Sequence, residues 1–207
     1  MINQVKKLNK LTIIGPHKSG TKFCNKILIN NFGKHNVSYE VRRHATGGPF
    51  KFSEESIINF KKKFKFEYLL FIVRERKTYL KSLYSYHIKL GGTKKFVPFS
   101  QDKEILLKIN HKFIKRVLIT HFSEKIIFVD FEEMTKKTEE FINRISKISG
   151  IKVSSLNKDF TPINVSNDPF SNKIKRLANL CTNKIFLKFI LKTLLHIFQF
   201  FKKRTKT

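Results

Sequence analysis

The sequence predicts an α/β fold, a three-layer sandwich whose central sheet is parallel. Apolar runs of strand length occupy residues 11–14 and 68–73, and a third begins the segment 125–134. Each run ends at turn-forming or charged residues, and a stretch with apolar residues at helical spacing follows it. Strands that alternate with helices form βαβ units in a parallel sheet. A chain of 207 residues is long enough for one such domain with a sizeable core.

The first apolar run is followed by a glycine-containing turn and then by a helix. Gly15, Pro16 and Gly20 interrupt the strand pattern, and Thr21 begins the helical pattern. A strand, a glycine-containing loop and a helix N-terminus form an anion site, because free backbone N–H groups and the helix dipole point at the loop. Lys18 adds a positive charge. The pattern therefore predicts a phosphate-binding loop.

This loop differs from the Walker A pattern, in which Gly-Lys-Ser/Thr follows a four-residue spacer. Gly15 and Gly20 have the required spacing, but Gly20 is followed by Thr21 and Lys22. Lys18, the lysine of the predicted phosphate-binding loop, precedes the second glycine instead. This arrangement resembles the 5′-phosphosulfate loop of sulfotransferases that use 3′-phosphoadenosine 5′-phosphosulfate (PAPS) as their donor.

The resemblance implies the fold of P-loop nucleoside triphosphate hydrolases and a donor site at this loop. It implies donor contacts from five consecutive residues, Lys18, Ser19, Gly20, Thr21 and Lys22. It also implies a catalytic role for Lys18, whose ammonium would neutralise the charge that grows on the leaving phosphate. This chemistry requires no metal ion, so none is expected.

The second apolar run ends at Arg74, and a helix is predicted from residue 78 to about residue 88. In sulfotransferases the donor's 3′-phosphate is held by an arginine at the end of such a strand and by a serine eight positions later. Arg74 and Ser82 match that spacing. A guanidinium can donate to two phosphate oxygens at once, and a hydroxyl on the next helix can bind the third. The resemblance therefore implies that Arg74 and Ser82 bind the 3′-phosphate.

The third run, residues 125–134, resembles the late strand and following turn of the family. We expect Glu132 and Glu133 to be structural residues at this strand-to-helix corner, and a helix is predicted from Thr138 to a stop at Gly150. The resemblance ends there. The Arg-Lys-Gly run that completes the 3′-phosphate and adenine site in many sulfotransferases is missing, and the basic run 173–176, Lys-Ile-Lys-Arg, is a candidate substitute.

Sulfuryl transfer also needs a base, because the acceptor hydroxyl loses its proton as it attacks sulfur. Two candidates lie at the alternating, strand-like stretch from Asn36 to Val41: Glu40 is near its end, and His44 is in the basic loop that follows. We favour His44, since imidazole titrates in the useful pH range and a loop histidine resembles one bacterial branch of the family. Glu40 is the alternative.

The chain carries 43 Lys and Arg residues but 15 Asp and Glu residues, a formal net charge of +28. A field this positive favours anionic partners, such as the donor's phosphates, an acidic polysaccharide or a membrane surface. Nucleic acid is the general alternative. However, the lysines are spread along the sequence, which shows no zinc-finger, RNP-type or helix-turn-helix pattern, so no specific nucleic-acid partner is expected.

Residues 184–203 combine a wide apolar face with a polar stripe. The stripe consists of residues at spacings of three and four, namely Lys188, Lys192, His196, Gln199 and Lys203. Charges inside the run argue against a spanning helix and favour a helix lying in an anionic membrane interface, with a helix packed on the core as the alternative. We therefore predict a sulfotransferase domain at 1–183 and a basic amphipathic helix and tail at 184–207.

The expected location is the cytoplasm, with the chain peripheral at the cytoplasmic face of a membrane. The first ten residues are polar and basic and lack the apolar segment of a signal peptide. The two cysteines, Cys24 and Cys181, lie in helical patterns, which is typical of buried thiols in a reducing compartment.

Together these observations predict a PAPS-dependent sulfotransferase that modifies a hydroxyl, with a glycan or glycolipid as the expected acceptor because of the basic surface and the C-terminal segment. One alternative is a P-loop nucleotide kinase, which would need magnesium and which the missing Gly-Lys-Ser/Thr disfavours. The other is a non-enzymatic nucleic-acid-binding protein, which would bind any duplex with steep salt dependence.

Overall fold

The computed structural model describes residues 6–7, 9–16, 18–38, 54–108, 110–153, 156, 169–180 and 193. The chain divides into two compact units. The first comprises Met1–Tyr79 and Leu106–Ile163, and the second comprises Leu80–Ile105 and Asn164–Thr207. The sheet and both candidate donor-binding corners belong to the first unit.

Strands and helices alternate along the described residues. The strands are β1 (Lys6–Lys7), β2 (Leu11–Ile14), β3 (Val37–Ser38), β4 (Phe64–Lys65), β5 (Tyr68–Val73) and β6 (Ile126–Asp130). The helices are α1 (Thr21–Phe32), α2 (Glu54–Lys63), α3 (Arg76–Lys89), α4 (Phe96–Ser100), α5 (Lys103–Lys108), α6 (His111–Phe122), α7 (Phe131–Lys136), α8 (Thr138–Ser149) and α9 (Pro169–Leu180). Short 3₁₀ turns precede β3 (Lys34–Asn36) and β6 (Ser123–Lys125).

The central sheet has four parallel strands in the order β3-β2-β5-β6. Ile14, the last residue of β2, is in register with Phe71 of β5. Val73, the last residue of β5, is in register with Asp130, the last residue of β6. The loop after β2 and the corners after β5 and β6 therefore lie at the same carboxyl edge of the sheet. Strands β1 and β4 form a separate parallel pair.

The strand order reverses between β2 and β5. From β2 the chain passes through α1 to β3 on one side, whereas the connection from β5 leads to β6 on the other side. In open parallel sheets ligands bind at such a point, because the diverging connections leave a crevice outside the carboxyl ends of the two strands. The ends of β2 and β5 are therefore the expected position of a ligand site.

Helices cover both faces of the sheet. On one face Ile13, Leu70 and Val129 pack with apolar residues of α1, α7 and α8. On the other face Ile14 and Phe71 pack with apolar residues of α2 and α6. Successive residues of a strand point to opposite faces, so a sheet covered on both sides needs the unbroken apolar runs seen in the sequence. The predicted α/β fold with a central parallel sheet is confirmed.

In the second unit, side-chain amides of α9 bind α3 and the turn after it. Asn172 Nδ2 donates to Ser85 Oγ over 2.8 Å. Asn179 Nδ2 donates to the carbonyls of Ile88 and Gly92, each over 2.9 Å. These bonds fix α9 along the carboxyl half of α3.

The predicted amphipathic segment at 184–207 contributes one described residue, Thr193, which is helical. The predicted domain boundary after residue 183 lies outside the described residues. Among the described helices, none is both long enough and apolar enough to cross a membrane.

Candidate functional site

The loop between β2 and α1 folds tightly on itself. The Ser19 N–H donates to the carbonyl of Pro16 over 3.1 Å. A Cβ added to Gly15 would lie 2.7 Å from both Ser19 Oγ and Thr21 Cγ2, so a larger residue does not fit there. Lys18 adopts a left-handed backbone with φ +67°, which is unfavourable for a residue with a side chain. Backbone strain of this kind clusters at ligand sites.

Helix α1 begins directly after this loop. Its N-cap is Gly20, with φ +103° and no side chain to cap the first-turn N–H groups, and its first turn contains no acidic residue. The first four N–H groups of a helix have no partner within the helix and carry partial positive charge. Lys18 and Lys22 add full positive charges on either side of Gly20. The loop and helix start are therefore suited to bind an anion.

Phe131, the first residue of α7, closes one side of the loop. A Cβ added to Gly20 would overlap the Phe131 ring, so glycine alone fits at this position. Phe23 contacts the same ring edge-on, with the ring centroids 6.2 Å apart. No role was predicted for Phe131, because nothing in its local sequence signals a contact with a distant glycine.

Arg74, directly after β5, reaches the loop. Its Nη1 donates to the carbonyl of Lys18 over 2.9 Å, and its guanidinium carbon lies 4.6 Å from the centroid of the Phe131 ring. Its Nε lies 3.7 Å from Glu132 Oε1. Burial lowers the pKa of Arg74, and the Glu132 carboxylate opposes that shift. The structure thus brings together the strand-end arginine and the loop that the sequence identified separately.

Glu132 links two corners at the carboxyl edge of the sheet. Its Oε2 accepts a hydrogen bond from the backbone N–H of Glu75 over 3.0 Å, and its Oε1 accepts one from Thr78 Oγ1 over 2.7 Å. These contacts join the start of α7 to the start of α3, which agrees with the structural role expected of Glu132. The neighbouring Glu133 contributes its N–H to the Asp130 carboxylate that caps α7.

The other predicted site residues lie either in the second unit or outside the described residues. Ser82 is buried on α3 and belongs to the second unit, whereas Arg74 belongs to the first. The basic run 173–176 lies on α9, also in the second unit. Both candidate bases, His44 and Glu40, lie outside the described residues.

Two further polar side chains near this edge, one fully buried and one half-buried, were missed by the sequence analysis. Tyr79 is fully buried, and its ring lies 5.7 Å from that of His111. Neither the Tyr79 hydroxyl nor His111 Nε2 has a hydrogen-bond partner among the described residues. Burial raises the pKa of Tyr79 and lowers that of His111, so in both side chains it favours the neutral form. In the sequence, Tyr79 has the spacing of an ordinary residue on the apolar face of a helix, so its buried hydroxyl was not predictable.

Within the described part of the chain, no group of three or more His, Cys, Asp or Glu residues could hold a metal ion. Comparison of the chain with known proteins found no matching family model, curated protein or solved structure. The choice of ligand for this edge therefore rests on the geometry of the loop and of Arg74, together with the sequence motifs there.

Proposed function

We propose that the chain is a sulfotransferase with an α/β core of the P-loop type and that PAPS is its donor. One contact carries the proposal, the hydrogen bond from Arg74 to the carbonyl of Lys18. The arginine and the loop resemble the family's 3′-phosphate and 5′-phosphosulfate elements, respectively. Their contact at the reversal of strand order supports a single site for both ends of the donor.

The side chains and backbone at this edge fit such a donor. A Cβ at Gly15 or Gly20 would collide with neighbouring side chains, so the two glycines keep this stretch of backbone close to its surroundings. Ser19 Oγ is buried without a hydrogen-bond partner among the described residues, and its hydroxyl could donate a hydrogen bond to a phosphate oxygen. An arginine has five N–H donors, and the bond from Arg74 to Lys18 uses one of them.

In the proposed reaction the acceptor oxygen attacks sulfur while the bond between sulfur and the 5′-phosphate oxygen breaks. The electron pair of that bond stays on the phosphate of the product, 3′-phosphoadenosine 5′-phosphate (PAP). Lys18 and the first-turn N–H groups of α1 stabilise the negative charge that develops there. The proton of the acceptor passes to His44, or to Glu40 as the alternative base.

The proposed acceptor is a hydroxyl of a glycan or glycolipid. The formal net charge of +28 supports it, because a strongly positive surface concentrates anionic polysaccharides and lipids. We also propose a cytoplasmic location. In support of it, Cys24 is a free thiol, fully buried in the core, where burial raises its pKa and makes it unreactive.

Calorimetry of the full chain with PAP, AMP and ATP–magnesium tests the donor assignment. PAP should bind most tightly, because it alone carries both the 5′- and the 3′-phosphate groups. In a transfer assay with PAPS, Lys18→Ala should abolish product formation, whereas Lys34→Ala, an exposed lysine after α1, should not.

Two results would favour the other functions. Tighter binding of ATP–magnesium than of PAP would support a nucleotide kinase. The formal net charge of +28 is the observation that favours a nucleic-acid-binding protein. That function would be supported if the protein binds duplex DNA with an affinity that falls steeply with salt and does not bind PAP.

A further inference from the structure

The segment 89–98 runs from the last residue of α3 through the turn after it to the third residue of α4, and it presents large apolar side chains to solvent. Leu90 is 68% exposed and Val97 is 60% exposed, the two highest values among the large apolar residues of the described chain. Phe96 is also exposed, as is Pro98. A cluster of exposed apolar residues on a folded chain marks an interaction surface more often than single scattered ones do.

Side-chain contacts fix the conformation of this segment within the second unit. The Tyr84 ring packs against Phe96 and Phe99, with centroids 5.2 and 5.4 Å apart, and its hydroxyl donates to the carbonyl of Lys94 over 3.2 Å. The N–H of Gly92 donates to the carbonyl of His87 over 2.9 Å. These contacts fix the local conformation in which Leu90 and Val97 are exposed.

Lysines flank the apolar residues. Lys89, Lys94 and Lys95 are exposed. Lys94 pairs with Asp102 over 2.7 Å, whereas Lys89 and Lys95 have no ion pair among the described residues. The segment thus combines protruding apolar side chains with uncompensated positive charge on both sides.

We propose that segment 89–98 is a docking element for an anionic lipid bilayer. Leu90 and Val97 enter the boundary between headgroups and acyl chains, while Lys89 and Lys95 contact anionic headgroups. This pattern fits a bilayer better than a protein partner, because protein–protein interfaces are depleted in lysine. The inference does not depend on the sulfotransferase proposal, and it concerns other residues than the predicted segment at 184–203.

The chain contains no tryptophan, so a single introduced tryptophan reports the surroundings of one chosen position. We would prepare the full chain as Leu90→Trp and add vesicles of phosphatidylcholine with or without phosphatidylglycerol. Its emission should shift to the blue and be quenched by brominated acyl chains with the anionic vesicles, and far less with the neutral ones. The matched control is Ile119→Trp on α6, at an apolar position that is 53% exposed, whose emission should not shift.

Three outcomes would overturn the proposal. The first is an unchanged emission of Leu90→Trp while the protein sediments with anionic vesicles, which would mean that another segment binds them. The second is a failure of the protein to sediment with these vesicles. The third is a blue shift that grows with protein concentration without vesicles, which would identify the segment as an interface between copies of the chain.

Discussion

Arg74 donates a hydrogen bond from Nη1 to the backbone carbonyl of Lys18 over 2.9 Å, which fastens the corner after β5 to the loop after β2. The same guanidinium lies against Phe131 and Glu132, the first two residues of α7. Arg74 follows β5 and contacts the segments that follow the two neighbouring strands, β2 and β6. A change at Arg74 should alter both the conformation of the loop and any anion bound beside it.

Arg74→Ala should weaken the binding of PAP by about 10- to 100-fold, because a charge-assisted hydrogen bond contributes about 1.5–3 kcal/mol and 1.4 kcal/mol is a factor of ten. The binding of AMP, which lacks the 3′-phosphate, should weaken less. Calorimetry measures both affinities. The control is Arg76→Ala, an exposed arginine two residues later. Equal losses for PAP and AMP would show that Arg74 acts only by holding the loop.

Tyr79→Phe should raise the free energy of unfolding by about 1 kcal/mol, because a buried hydroxyl without a partner costs about 1–3 kcal/mol of desolvation. The comparison is Tyr84→Phe, which removes a hydroxyl that donates to the carbonyl of Lys94 and should not stabilise the protein. Urea unfolding followed by circular dichroism measures both changes. A clear loss of stability in Tyr79→Phe would contradict this expectation, because it would mean that the hydroxyl makes a hydrogen bond in the folded protein, to a buried water or to a residue outside the described ones.

The free energy of unfolding should fall as the pH drops below about 6.5, the ordinary pKa of histidine. Burial, with a smaller contribution from Lys115, lowers the pKa of His111 in the folded protein, and Glu132 opposes the shift. The unfolded chain therefore takes up the proton at a higher pH than the folded chain, and acid favours unfolding. His87 acts in the same direction, since its burial also lowers its pKa.

Urea unfolding at a series of pH values between about 7.5 and 5.5 tests this dependence. His111→Gln should reduce the slope of stability against pH, while substitution of the exposed His35 serves as the control. A slope unchanged by His111→Gln would mean that other groups cause the acid sensitivity.

The sequence predicted the strands of the sheet core and the end of α8 because both depend on local patterns. Buried strands require unbroken apolar runs, and Gly150 stops α8 with φ +65°, a conformation that glycine adopts without strain. The strands β1 and β4 have two residues each and carry no readable pattern. The contacts of Phe131 and Tyr79 were not predictable either, because each depends on a packing partner far away in the chain.

Gly20→Ala should destabilise the protein and weaken PAP binding, for two separable reasons. The backbone of Gly20 has φ +103°, which disfavours any side chain, and an added Cβ would overlap the Phe131 ring. Gly91 has a similar φ, +93°, but an added Cβ there meets nothing within 4 Å. Gly91→Ala therefore measures the backbone strain alone, about 1–2 kcal/mol, and the excess loss in Gly20→Ala measures the collision.

A double-substitution cycle with Phe131→Ala isolates that collision. If the Phe131 ring is what excludes a side chain at position 20, Gly20→Ala should cost less stability in the Phe131→Ala background than in the wild type. Urea unfolding of the four proteins gives the coupling, which for residues in direct contact is about 0.5–3 kcal/mol. A coupling near zero would mean that α7 can shift away from the loop, in which case the tight loop does not depend on the contact between Gly20 and Phe131.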